Sequence, residues 1–323
     1  MPARTAFFVA VLAAVLAVAG SGCSLVDGGH DRSSNLRRSA GDPTPSTGAG
    51  PTLSTAGSAP RVALRFRLRR GSTAQVAITT DVGVTQAGPA GPQTVDPPPV
   101  VQTLRFRVGT VASDGSAEVA FEVTGADVGR GNALSAAEVA TYRDALGVLK
   151  GIHGTGTLSP LGQFRVDQLA VPPGVSPSVR SQVDALRNQV SNLAPVLPSD
   201  AVGVGGSWTA ATTTTVGGAT VQQSVTYTVT AVDGDRIAYR SMTTATAARQ
   251  PLALPGLPAG TVATLVSSTL TGTGTGTLDL TSVASKATTV ASGTQVVEVA
   301  TGTGSPTTAT QQLTTSSRSQ PLS

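Results

Sequence analysis

Between Leu104 and Val123 the chain alternates with a period of two, and that constrains it more than any other feature. In Leu104-Arg105-Phe106-Arg107-Val108 the apolar residues fall on one side of a strand and the arginines on the other. Val119, Phe121 and Val123 repeat the pattern against Glu118 and Glu122, and Asp114-Gly115 between the two runs is a hairpin-turn signal. A helix cannot keep such a pattern on one face, so this stretch is committed to antiparallel sheet. A two-residue loop at Asp114-Gly115 sets Val108 opposite Phe121, Phe106 opposite Val123 and Arg107 opposite Glu122. Apolar then meets apolar and cation meets anion.

Composition extends the β reading to most of the chain. Hydrophobic residues make up 39% of the sequence but aromatics only 3%, so the core is built from Val, Leu, Ala and threonine methyls. Val and Thr are stiff at χ1 and suit a pleated surface. Val62, Leu64, Phe66 and Leu68 alternate with Ala63, Arg65, Arg67 and Arg69, which predicts a half-buried strand starting the ordered domain at Arg61. Thr73 to Val84 keeps the same period, and Ala87 to Pro99 reads as a loop. Two helices interrupt the strands. Ser135 and Glu138 have capping-box spacing, followed by Val139, Tyr142, Leu146 and Leu149 at helical intervals. The second helix starts at Ser176-Pro177, carries Val183, Leu186, Val190 and Leu193, and stops at Pro195. Each stripe is expected to pack on sheet, and Gly154 to Leu169 between the helices reads as one more strand.

The pattern recurs. Gly71-Ser72-Thr73 resembles Gly206-Ser207-Trp208, the Asp114-Gly115 hairpin resembles the one at Asp233-Gly234, and Gly154-Thr155-Gly156-Thr157-Leu158 matches Gly274-Thr275-Gly276-Thr277-Leu278. Two similar β-units are expected, 61–198 and 199–302. In the second hairpin a three-residue loop, Asp233-Gly234-Asp235, sets Val229 opposite Tyr239 and Ala231 opposite Ile237. Residues 303–323 read as a polar edge strand and a loose C-terminus. The predicted fold is mainly β, a curved antiparallel sheet with two helices in the first half.

The N-terminus carries an address. Arg4 and the apolar run Ala6 to Ala19 form a secretory signal, too short to span a bilayer. Ala17-Val18-Ala19-Gly20-Ser21-Gly22-Cys23 resembles the lipobox of bacterial lipoproteins, with Gly20 where an aliphatic residue is usual. That resemblance implies cleavage after residue 22 and diacylglycerol, with further acyl groups such as palmitate, on Cys23, the one cysteine of the chain. Two or more acyl chains anchor stably where a single one does not. The competing cleavage is an ordinary A-x-A site at Ala17-Val18-Ala19, which yields a secreted product. From Cys23 to Pro60 the chain is rich in Ser, Gly, Pro and Thr and reads as a disordered tether. The expected location is the outer face of the cytoplasmic membrane of a GC-rich, Gram-positive type of bacterium.

Catalytic patterns are missing. The chain has two histidines, His30 and His153, and no set with zinc-ligand spacing. The Gly-Thr runs lack the Lys-Ser/Thr of a phosphate loop, and Gly-x-Ser-x-Gly does not occur. The net charge of +4 comes without basic runs interleaved with aromatics, which argues against a nucleic-acid partner. No enzyme activity, metal or cofactor is expected. The stretch Leu197-Pro198-Ser199-Asp200-Ala201-Val202-Gly203-Val204-Gly205-Gly206-Ser207-Trp208 and the two Asp-Gly hairpins resemble an uncharacterised, actinobacterial-type family of envelope lipoproteins. By architecture alone the chain is similar to carrier lipoproteins that hold lipid in a half-barrel. Two functions follow: a binding module holding an apolar or amphiphilic ligand between the sheet and the helices Ser135–Lys150 and Pro177–Leu193, or a structural and interaction protein with a filled core.

Overall fold

A computed structural model describes residues 50–87, 91–129, 135–171, 177–216, 219–252, 260–301 and 306–322. The signal segment, Cys23 and the tether up to residue 49 lie outside the described residues. One antiparallel sheet dominates. Its strands are β1 (Thr52–Thr55), β2 (Thr73–Gln86), β3 (Gln93–Val95), β4 (Val100–Val111), β5 (Ala117–Val128), β6 (His153–Leu158) and β7 (Phe164–Ala170), then β8 (Ser207–Val216), β9 (Ala219–Asp233), β10 (Arg236–Ala247), β11 (Gln250–Leu252), β12 (Thr261–Asp279), β13 (Lys286–Thr301) and β14 (Thr307–Leu322). Helix α1 (Ala136–Gly147) joins β5 to β6, and α2 (Pro177–Ser191) joins β7 to β8. The pairing order is β1-β8-β9-β10-β12-β13-β14-β2-β4-β5-β6-β7, with β3 on β2 and β11 on β12. The sheet ends at β1 and β7 and does not close. The mainly β fold with its helices in the first half is the one expected.

The two units run through the same pairing order, β2-β4-β5-β6-β7 and β8-β9-β10-β12-β13. Ala117, Val119 and Phe121 face Leu158, Gly156 and Gly154. Ile237, Tyr239 and Ser241 face Leu278, Gly276 and Gly274. Both members of each pair are offset by 120 residues (237 − 117 and 278 − 158). The entry turn also recurs. Gly71, with φ +81, donates to Val108 O at 2.9 Å, and Val108 N donates to Ser72 O at 2.9 Å. Gly205, with φ +80, and Gly206 make the same two bonds with Val229, each 2.9 Å. The equivalent of Gly71 is therefore Gly205, one residue before the Gly206 suggested by sequence, because the backbone needs a left-handed residue at that point. After β13 the second unit continues into β14, where the first continues into α2.

Several local expectations are corrected. In the first hairpin Phe106 faces Phe121, Val108 faces Val119, Arg105 faces Glu122 and Arg107 faces Ala120, a slip of two from the predicted pairing. Ala112 N bonds Ser116 O at 2.8 Å, leaving three loop residues, and a bulge between Val108 and Val111 adds the second step. Each step alone would turn apolar residues outward; together they restore the faces. The second hairpin is the reverse case. Its loop is the two residues Gly234-Asp235, since Arg236 faces Asp233, and Ile237 faces Val232 rather than Ala231. A bulge before Tyr239 then returns Tyr239 to Val229, as expected. Gly154 to Leu169 is a hairpin, β6 and β7, turned by Gly162 with φ +85.

Residues 61–69 keep the alternation without joining the sheet. Leu64, Phe66 and Leu68 are buried, yet the backbone bonds are scattered: Val62 with Val202, Phe66 N to Pro160 O at 2.8 Å, and Arg67 N to Leu280 O at 2.7 Å. The segment crosses corresponding ends of both units, so it meets single carbonyls rather than a partner strand. Arg65 donates to Pro198 O at 3.0 Å and to Ser199 O at 2.6 Å, so its face is not simply solvated. Order also begins before Arg61: Thr52 pairs with Thr209, and Ser58 N donates to Val204 O at 2.9 Å. At the other end β14 is no edge strand. It pairs with β13 on one side and β2 on the other, burying Gln311, Leu313 and Thr315.

Two apolar clusters form the core. The larger gathers Leu64, Phe66, Phe106, Phe121, Leu186 and Trp208 under α2 and the crossing segment. The smaller joins Val221, Ala245, Leu265, Leu270, Val297 and Leu313 toward the far ends of the long strands. Gln223, Thr243, Thr289 and Thr315 are also buried on the long strands.

Candidate functional site

Space for a ligand was expected between the sheet and the two helices. Helix α2 does face the sheet: Val183, Leu186 and Val190 are buried, and Trp208 Nε1 donates to Val196 O at 2.7 Å just beyond the helix. Helix α1 is built as predicted at its start, where Glu138 N donates to Ser135 Oγ at 3.3 Å and Ser135 N to a Glu138 carboxylate oxygen at 2.8 Å. Its predicted stripe is not buried, however. No residue of α1 is fully buried and Tyr142 is 43% exposed; of that stripe Leu149, beyond the helix end, is buried in the core and Leu146 packs half-buried against it. Val139 is half-buried, and α1 is tied to β5 by the exposed Arg143–Asp127 pair at 2.7 Å.

The cavity under α2 measures about 40 Å³ and is bounded by Gln189, Asn192, Tyr239, Ser241, Thr243 and Thr289 among others. A water needs on the order of 10–15 Å³ of such space and a drug-sized ligand several hundred, so this cavity suits water. Beside Ile78, Leu193 and Val225, its lining carries hydroxyl and carboxamide groups that can serve as the polar partners a water requires. Burial pushes the Tyr239 phenol well up from its usual range, so it remains a neutral donor.

The Gly-Thr run behaves as sheet. In β12 Thr271, Thr273, Thr275 and Thr277 are exposed, while Gly272, Gly274 and Gly276 turn inward. A Cβ on Gly272 would fall 2.6 Å from Ala291 Cβ, so these positions admit close backbone approach and no side chain. The perturbed carboxyls are engaged in local structure. Asp114 is lowered by the Ser116 hydroxyl and amide, Asp127 by Arg143, and Glu138 by the Ser135 hydroxyl. Among the described residues no group of three or more His, Cys, Asp or Glu side chains is placed to hold a metal ion.

Larger space lies outside, on the opposite face of the first unit. An open groove of about 930 Å³ runs over β4, β5 and β6. Two outer rows form it. Thr73, Arg107, Ala120, Thr155 and Gln168 are successive partners across β2, β4, β5, β6 and β7. Arg105, Glu122, His153 and Ala170 make the next row, with Arg105 bound to Glu122 at 2.7 Å. His153 Nδ1 lies 3.0 Å from Gly151 O.

No family model matches this chain. No curated protein matches it either. The geometry of the chain is thus what speaks to its function. Cys23, the predicted attachment residue, lies outside the described residues. The groove went unseen in the sequence because its character depends on register. Placing Arg107 opposite Ala120 instead of Glu122 takes one extra loop residue and one bulge, and neither has a sequence signal stronger than Asp114-Gly115 itself.

Proposed function

We propose that the chain is a lipid-anchored protein of the cell envelope, held by acylated Cys23 on the extracytoplasmic face, and that it acts without catalysis as an interaction module. The lipobox-like stretch before Cys23 supports the anchor. The filled interior carries the choice between the two functions. Two aliphatic clusters and the buried stripe of α2 occupy the interior, and the cavity between α2 and the sheet is only about 40 Å³, lined by both polar and apolar side chains. The small size of that space favours work at the surface over carriage of an apolar molecule inside. The resemblance of the Leu197–Trp208 stretch and the two Asp-Gly hairpins to actinobacterial-type envelope lipoproteins supports the same reading.

Two measurements on the cell that makes the protein test it. A Cys23→Ser chain is expected to leave the membrane fraction for the culture medium. The wild-type chain, offered vesicles with labelled phospholipid or a fluorescent fatty acid, is expected to extract neither. Retention of Cys23→Ser on membranes would remove the anchor, and saturable one-to-one lipid uptake would replace the interaction role by carriage.

A further inference from the structure

We infer that the outer groove over β4, β5 and β6 is a binding site for a phosphate ester of a polyol, with Arg107 as its principal cation. The inference does not depend on acylation of Cys23. It starts from the register. Glu122 is engaged by Arg105 at 2.7 Å, while the cross-strand neighbours of Arg107 are Ala120 and Thr73. Among the described residues Arg107 makes no ion pair. Glu118, two residues from Ala120 on the same face, is the other carboxylate nearby and lies outside the groove lining.

An exposed guanidinium offers five N–H donors in a planar fork matched to phosphate or carboxylate oxygens. Beside it the small side chain of Ala120 opens the floor. The rest of the row, Thr73, Thr155 and Gln168, adds neutral groups that donate or accept. Strands lie about 4.8 Å apart, so these groups are spread over a length of roughly 15–20 Å. A lone carboxylate would use only the fork. A ligand with a cluster of anionic oxygens and several hydroxyls uses the fork and the row together. The groove volume of about 930 Å³ accommodates a molecule of that size. The chemistry is shared by a phospholipid headgroup and a soluble polyol phosphate.

The test uses the full chain carrying Cys23→Ser, so that no anchor contributes, and glycerol 3-phosphate as probe. Saturable binding is expected at about 1 mM or tighter by calorimetry or chemical-shift titration. Arg107→Gln should weaken it by about tenfold or more at unchanged thermal stability, since the side chain is exposed. Arg240→Gln, an exposed arginine on the outer face of β10, should leave it unchanged. Absence of saturable binding, no effect of Arg107→Gln, or equal loss in both variants would overturn the site. Flotation with phosphatidylglycerol or phosphatidylcholine vesicles separates the sources. Retention by phosphatidylglycerol alone that needs Arg107 identifies a headgroup, whereas glycerol phosphate binding without retention identifies a soluble ester; each supports the site.

Discussion

Phe121 packs its ring directly over Gly154, so that a Cβ added at residue 154 would fall 2.7 Å from Phe121 Cζ. The second unit repeats the arrangement one pair along the ladder, with Tyr239 over Gly276. An aromatic ring on one strand lies where its neighbour has no side chain, which lets few aromatics fill a core otherwise made of small residues.

Gly154→Ala should therefore cost about 1–3 kcal/mol, the usual range for overpacking a filled core. Gly147→Ala, at the end of α1 with nothing within 4 Å of the added Cβ, should be neutral or slightly stabilising. Denaturant midpoints of the two variants give the comparison; equal effects would mean the ring contact is not tight.

The helices differ in what they hold. Leu186 of α2 is 1% exposed, and Leu186→Ala should destabilise by about 2–5 kcal/mol. Arg143→Ala in α1 breaks an ion pair whose side chains are 55% and 59% exposed, and should shift the melting temperature hardly at all. A large loss from Arg143→Ala would show that α1 is needed for the fold.

Trp208 is the one tryptophan, so its emission reports the seam where β8 meets the end of α2. It stacks on Tyr227 at 5.4 Å and donates to Val196 O. Trp208→Phe keeps most of the apolar contact but leaves that carbonyl without its indole donor, for an expected loss of about 1–3 kcal/mol. In the wild type, blue-shifted emission should move red in one step with loss of sheet circular dichroism.

Asp114, Asp127 and Glu138 sit below the usual 3.8, 3.8 and 4.5 because each accepts hydrogen bonds as a carboxylate. A depressed carboxyl stabilises above its unfolded value, and that contribution fades as pH falls through the folded one. Melting temperature should be level near neutral pH and decline below about 4. Because all three groups are fully exposed, the decline should be shallow; a steep loss between pH 5 and 6 would point to a different group.

The alternating runs made the strands and their faces legible, since parity survives any even slip. Register was not legible. Asp114-Gly115 and Asp233-Gly234 look alike, yet the first pair lies within a three-residue loop, while in the second Asp233 ends a strand and only Gly234 enters a two-residue loop, each hairpin being offset by a bulge. The choice depends on packing along the whole ladder. The central place of β14 was hidden because Thr and Ser occupy both its faces, so polarity could not separate a covered strand from an edge. The 61–69 segment looked like a strand because burial alternates along it, and alternation reports faces rather than partners. The outer groove depended on all of these and could not be read before the register was known.

The most direct test of an anchored protein with a filled interior is intact mass and lipid analysis of the chain purified from its own membrane. The account predicts a polypeptide beginning at Cys23, with its diacylglyceryl group and any amide-linked acyl chain, and no stoichiometric lipid released by extraction from the interior. A chain starting elsewhere without acyl groups, or one mole of non-covalent lipid per mole of protein, would contradict it.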